Sequence, residues 1–258
     1  MLSLTTEQLG NLIGGYFWPF VRISAMMMVA PVFGAQLMPV RIRILVAFAV
    51  SLVAVPMLPT APFVDPISYS GLVLLVQQVL IGVAMGFIFQ MVFQALIIAG
   101  EAIASTMGLG FARMVDPANG VQVPVISQFL IIMATLLFVV INGHLMLIEL
   151  VMESFRVLPV GDILGAQAYL QLASWGSQMF IGALLVAIPA VLALLVVNIS
   201  MGVITRAAPQ LNIFAVGFPM MILLGFIFLT ATTPSMLAQF THLLMDGFAM
   251  ARDIVETR

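Results

Sequence analysis

Apolar residues in this chain come in long runs that leave no polar face. Charge-free stretches extend from Ile44 to Val64, Pro66 to Gly100, Pro117 to Ile148, Ile163 to Thr205 and Ala207 to Met245. Each is at least as long as the roughly 20 residues a membrane-spanning helix needs. The strands of an outer-membrane barrel would alternate apolar and polar residues over roughly ten positions, and these runs do not. The pattern predicts an all-α integral membrane protein of about six hydrophobic helices over residues 11–33, 44–59, 71–100, 124–151, 178–204 and 213–240, followed by a short polar tail. Residues 1–258 then form one membrane-embedded helical domain.

The connections are a proline-bounded turn with Arg41 and Arg43, a proline-rich turn at Asp65, a loop over residues 101–123, a polar stretch over 153–175, and a short turn at Arg206. Arginines divide almost evenly between the two sides, and the small margin favours an N-terminus outside the cytoplasm. Pro19, Pro56, Pro189, Pro219 and Pro234 fall inside apolar segments. Each removes an amide donor and crowds the preceding turn, so kinked helices are expected, either as ordinary bundle packing or as bent walls around a path. Gly82 and Gly86 form a GxxxG pair that lets another helix backbone approach closely, within this chain or in a partner. The run Met26, Met27, Met28 belongs to a total of 20 methionines, best read as adaptable apolar filler.

Composition narrows the chemistry. Only 7% of residues are charged and the mean hydropathy is +1.24, against about 25% charged in a typical soluble domain. Cysteine and lysine are both absent, which removes thiolate metal sites, cysteine nucleophiles, the phosphate-binding lysine of a P-loop and Schiff-base chemistry. A formal charge of −2 argues against nucleic acid. His144 and His242 have no ligand spacing around them, and no GxSxG or HExxH pattern occurs. No metal, cofactor or enzymatic activity is therefore expected. With Glu7 and no basic run near the start, the first apolar segment is expected to stay in place as a helix and not to be cleaved.

Charges beside or within the spans are sharper signals, because Arg or Glu at membrane depth costs at least about 2.5–3.5 kcal/mol on insertion scales. Arg22, Glu101 and Glu149 are the intramembrane candidates. Structural pairing, with an acidic group or backbone carbonyls for Arg22, is the leading explanation. The alternative is a small-solute or ion-coupled secondary transporter, which would show related halves around a midplane site; residues 1–130 and 131–258 show no such repeat.

The loop after residue 107 is of another kind. Gly108 and Gly110 free the backbone, while Asp116-Pro117 and Asn119-Gly120 are turn signals. Leu109, Phe111, Met114, Val115, Val121 and Val123 nevertheless keep it apolar, so it should be buried in protein. Here a family enters. GLGFARMVDP at 108–117, INGHLMLIELVMESFRVLPVG at 141–161 and RAAPQLNIFAVGFP at 206–219 resemble, in this order, the FliR family of flagellar type III export-gate proteins and their injectisome homologues. The resemblance covers essentially the whole chain. It implies a subunit with bent helical hairpins, built with FliP and FliQ into a spiral gate in the bacterial inner membrane at the flagellar basal body. FlhB would wrap the outside, lipid would surround it, and unfolded flagellar export substrates would pass through. It further implies a FliP-like part over residues 1–176 and a FliQ-like hairpin and tail over 177–258. The loop containing Gly108, Gly110, Phe111, Met114, Val115, Asp116 and Pro117 would plug the channel, and the turn with Arg206, Pro209, Gln210 and Asn212 would dock a partner.

Overall fold

The computed structural model describes residues 6–34, 38–59, 64–66, 68–109, 124–208 and 217–257, with side chains from residue 14 onward. Among them are seven α-helices: α1 (Thr6–Val29), α2 (Val40–Ala54), α3 (Tyr69–Thr106), α4 (Val125–Val140), α5 (Gly143–Val157), α6 (Ala166–Ala207) and α7 (Phe218–Glu256). A 3-10 turn, Val55–Met57, ends α2. Four segments are long and apolar enough to cross a membrane, namely Val40–Met57, α3, α6 and α7, and the bent pair α4–α5 makes a fifth if it is counted as one span. The all-helical membrane class holds, and the expected six spans become four or five among the described residues.

Three boundaries differ from the sequence expectation, each for a local reason. The run over 124–151 is two helices, bent by 66° at Ile141–Asn142. Asn142 takes the left-handed conformation at φ 59°, where asparagine is tolerated better than most residues. Gly143 lets the Phe138 ring lie against the new helix's first turn, since any Cβ there would collide with it. The polar stretch over 153–175 ends α5 at Val157 and begins α6 at Ala166, and the polar tail continues α7 to Glu256. The prolines also divide. Pro19, Pro189 and Pro234 lie within helices, whereas Pro56 is the second residue of the 3-10 turn and Pro219 sits in the first turn of α7, where a missing amide donor costs little.

The chain folds into two compact units. One comprises residues 1–91, 138–176 and 245–258, the other 92–137 and 177–244, so each draws on chain from both sides of residue 176. In the first unit, α1 packs on α3 through the GxxxG pair. A Cβ on Gly82 would collide with the Arg22 carbonyl, and one on Gly86 would lie 2.8 Å from the Met26 carbonyl oxygen. Within the chain, then, the small residues serve contact between α1 and α3. Met26 and Met27 are buried beside this contact while Met28 is exposed. Phe89 and Phe248 add a tilted ring pair at 4.5 Å between centroids.

In the second unit, Gly100 of α3 abuts Ser127 of α4, whose hydroxyl donates to the Ile97 carbonyl at 2.9 Å. Phe93 meets Phe240 edge-on at 5.4 Å. Gly182 of α6 accepts Leu243 of α7, the two lying at matched distances from Ala207 and Phe218, as antiparallel neighbours must.

Candidate functional site

The most elaborate polar arrangement is in the core of the first unit. Arg22, on α1, is wholly buried. Its Nε donates to Gln78 Oε1 of α3 at 2.8 Å, and Nη1 donates to the carbonyl and hydroxyl oxygens of Ser154, each at 3.1 Å, and to the Leu158 carbonyl at 2.9 Å. The guanidinium also lies 4.1 Å from the centre of the Phe155 ring.

Ser154, Phe155 and Leu158 are at the C-terminal end of α5. The last carbonyls of a helix lack intrahelical donors and carry the negative end of its dipole, so a cation placed there is favoured. Arg22 thus closes the C-terminus of α5 while tying α1 to α3. All these partners are neutral: carbonyl, hydroxyl, amide and ring. The planar guanidinium suits this task because its donors point in several directions at once. Nη2, Gln78 Nε2 and Trp18 Nε1 are buried without an acceptor among the described residues.

The other candidate residues are dispersed. Glu149 is exposed on α5, in the same unit as Arg22, and is not among the residues that bind it. Glu101 is half-buried on α3 in the second unit. Arg206 is exposed in the last turn of α6, close to the terminal carbonyls that a cation can satisfy. Pro209, Gln210 and Asn212 lie outside the described residues, as do Gly110, Phe111, Met114, Val115, Asp116 and Pro117.

Gly108 is described, and it ends α3 in a specific way. Its φ is +82°, its amide donates to the Ser105 carbonyl at 3.1 Å, and the Leu109 amide donates to the Ala104 carbonyl at 3.0 Å. These two bonds form a Schellman cap with Gly108 at the left-handed position. Around the cap, Met107 packs on Gly225 and Gly108 approaches Phe218, both of α7, and Asn198 of α6 donates to the Thr106 carbonyl at 3.4 Å. The chain therefore leaves α3 from a point held by α6 and α7.

Arg22 stands out in the sequence, but its partners do not. Gln78 was visible as an amide inside a charge-free run. Ser154 and Leu158 lie within the stretch over residues 141–161, with nothing to assign them to Arg22 at separations of 132 and 136 residues. Among the described residues no three His, Asp or Glu side chains gather as metal ligands.

A model of bacterial export proteins, family 1, matches residues 13–247. The flagellar biosynthetic protein FliR of Escherichia coli (strain K12) is 38% identical over 99% of this chain and 98% of its own length. FliR of Bacillus subtilis (strain 168) is 32% identical over 85% of this chain and 86% of its own. FliR of Aquifex aeolicus (strain VF5) is 30% identical over the whole of this chain and 98% of its own. Matches that run almost end to end take in α1 with its arginine, the capped end of α3, the broken α4–α5 pair and the two long final helices alike, so the chain belongs to the FliR family of bacterial export proteins.

Proposed function

We propose that this chain is a structural and gating subunit of the flagellar type III protein-export gate, seated in the bacterial inner membrane at the flagellar basal body and without enzymatic activity. The observation that carries this reading is the 38% identity to a flagellar biosynthetic protein over 99% of the chain. In this reading FliP and FliQ complete the channel, FlhB docks on the cytoplasmic side near the Arg206 turn, and unfolded flagellar subunits are the cargo. Large apolar side chains such as Leu45, Val53, Leu184, Val196 and Leu223 are exposed along the helices, a surface suited to lipid and to neighbouring subunits. The FliP-like and FliQ-like parts, 1–176 and 177–258, belong to the same proposal.

The plug completes it. Residues 108–123 form a tongue that closes the channel between substrates, with Phe111 as the main obstruction. The support is its root: the Schellman cap at Gly108 turns the chain sharply out of α3. Copurification in mild detergent tests the assembly. A large complex with two other small helical chains is expected, and a lone monomer that moves a small solute would replace this reading with a transporter. Deleting residues 111–121 should let small dyes leak through reconstituted gates. A deletion complex as tight as the parent would remove the plug.

A further inference from the structure

In the second unit α3, α6 and α7 run side by side in a register that a few contacts fix. Phe93 of α3 meets Phe240 of α7 at 5.4 Å, and Met107 packs on Gly225, so α3 advances 14 residues while α7 retreats 15. Pro234, six residues before Phe240, therefore lies opposite Ala99. Asn198 of α6 donates to the Thr106 carbonyl at 3.4 Å, and Pro189, nine residues earlier, lies opposite Ile97. The contact of Gly182 with Leu243 agrees, since Pro189, seven residues on from Gly182, falls opposite Met236. Both prolines and Gly100 thus stand within about one helical turn of each other in height.

Each helix is weak at this level for its own reason. Proline has no amide to donate and crowds the preceding turn, so α6 loses the bond to the Leu185 carbonyl and α7 the bond to the Thr230 carbonyl. Just before Pro234, the Thr230, Thr232 and Thr233 hydroxyls donate to the Phe226, Phe228 and Leu229 carbonyls, each at 2.7 Å. Hydroxyls bonded back into a helix in this way weaken its backbone ladder and favour bending. In α3, Gly100 is a poor helix former, and Ser127 of α4 donates to the Ile97 carbonyl at 2.9 Å. Past this level the three helices are tied to one another, by Met107 on Gly225, by Asn198 on Thr106, and by Gly108 beside the Phe218 ring.

We propose that Gly100, Pro189 and Pro234 form one hinge across α3, α6 and α7, about which residues 101–109, 190–207 and 218–233 swing as a body against the rest of the second unit. Weak points at three different heights would each be held by unbroken neighbours. Brought to one height, they let three packed helices bend together with little sliding between them. At 1.5 Å per residue the 18 residues of α6 past Pro189 extend about 27 Å, so a bend of about 10° moves their end by about 5 Å. Leu109, at the capped end of α3, travels with them whatever the segment beyond it does, so the hinge stands or falls separately from the plug. The competing state is three kinks locked in place by packing.

Paired nitroxide labels on the full chain, copurified with its assembly partners, distinguish the two. Cysteine is absent from the sequence, so introduced pairs are the only thiols on this chain. Ser200→Cys with Leu136→Cys reads between the far part of α6 and α4, and Ser200→Cys with Ile227→Cys reads within the moving body. The first distance distribution should be about twice as broad as the second, in keeping with a displacement of several ångströms. Pro189→Ala together with Pro234→Ala restores both amide donors and should narrow the first distribution to the width of the second, while either change alone should narrow it in part. A first distribution already as narrow as the second with both prolines present would overturn the hinge without recourse to any proline variant. So would breadth that survives both substitutions in a chain that still copurifies with its partners.

Discussion

At the scale of single residues, Arg22 organises more of the chain than any other polar group described. It brings together α1, α3 and the end of α5 using neutral acceptors, so it escapes the penalty of an isolated cation without needing a carboxylate. Arg22→Leu removes the charge but leaves the Leu158 carbonyl and Gln78 Oε1 without that donor, and should destabilise the fold by about 3 kcal/mol. Unfolding in graded denaturing detergent would measure this, and an unchanged midpoint would contradict the account. Arg22→Lys should recover only part of the loss, since an ammonium cannot reach both Gln78 and the helix end with the guanidinium's planar fork. The arginine itself was legible as a costly charge in an apolar run. Its partners were not, because residues 56 to 136 positions away are brought near it only by packing.

Among the elements, what hydropathy measures and what ends a helix are different things. The run over 124–151 is apolar on average, yet it bends by 66° at Ile141–Asn142, where the preferences of Asn142 and the following Gly143 are local and carry little weight in a hydropathy average. The converse holds for α6 and α7, which extend through Gln167–Ser174 and Asp246–Glu256, where polarity rises but helix-forming residues continue. GxxxG was legible as a close-approach signal and gained its meaning only when α1 was found against it. Gly143→Ala should disturb the break by driving a methyl into the Phe138 ring, and Phe138→Leu in the same chain should restore much of the lost stability. If the double variant is as unstable as the sum of the two singles, the ring is not what constrains the position.

For the molecule as a whole, the long helices set its relation to the bilayer. At 1.5 Å per residue α6 is about 63 Å long, roughly twice the hydrocarbon core, and its apolar part begins only after Gln178. Cysteines at Gln171 and Arg252 should thus react with a membrane-impermeant maleimide in open vesicles, while one at Leu195 should stay protected. Equal labelling at all three would mean that this length is not immersed as proposed. The proposed plug and docking turn rest on glycine, proline and aromatic patterns together with a family likeness, and all but their first residues lie outside the described ones. Of the segment proposed as a plug, the described residues are Gly108 and Leu109, which cap α3.

The Arg22 cluster also has a consequence in time. Its carbonyl partners lie 132 and 136 residues downstream, so at about 5–20 residues per second of synthesis the guanidinium waits roughly 7–27 s for them. During that interval α1 has been made and α5 has not. The arginine must meanwhile stay hydrated at the interface, as long basic side chains can by reaching toward water. Although α1 is made before α5, it then reaches its final depth only once α5 has arrived.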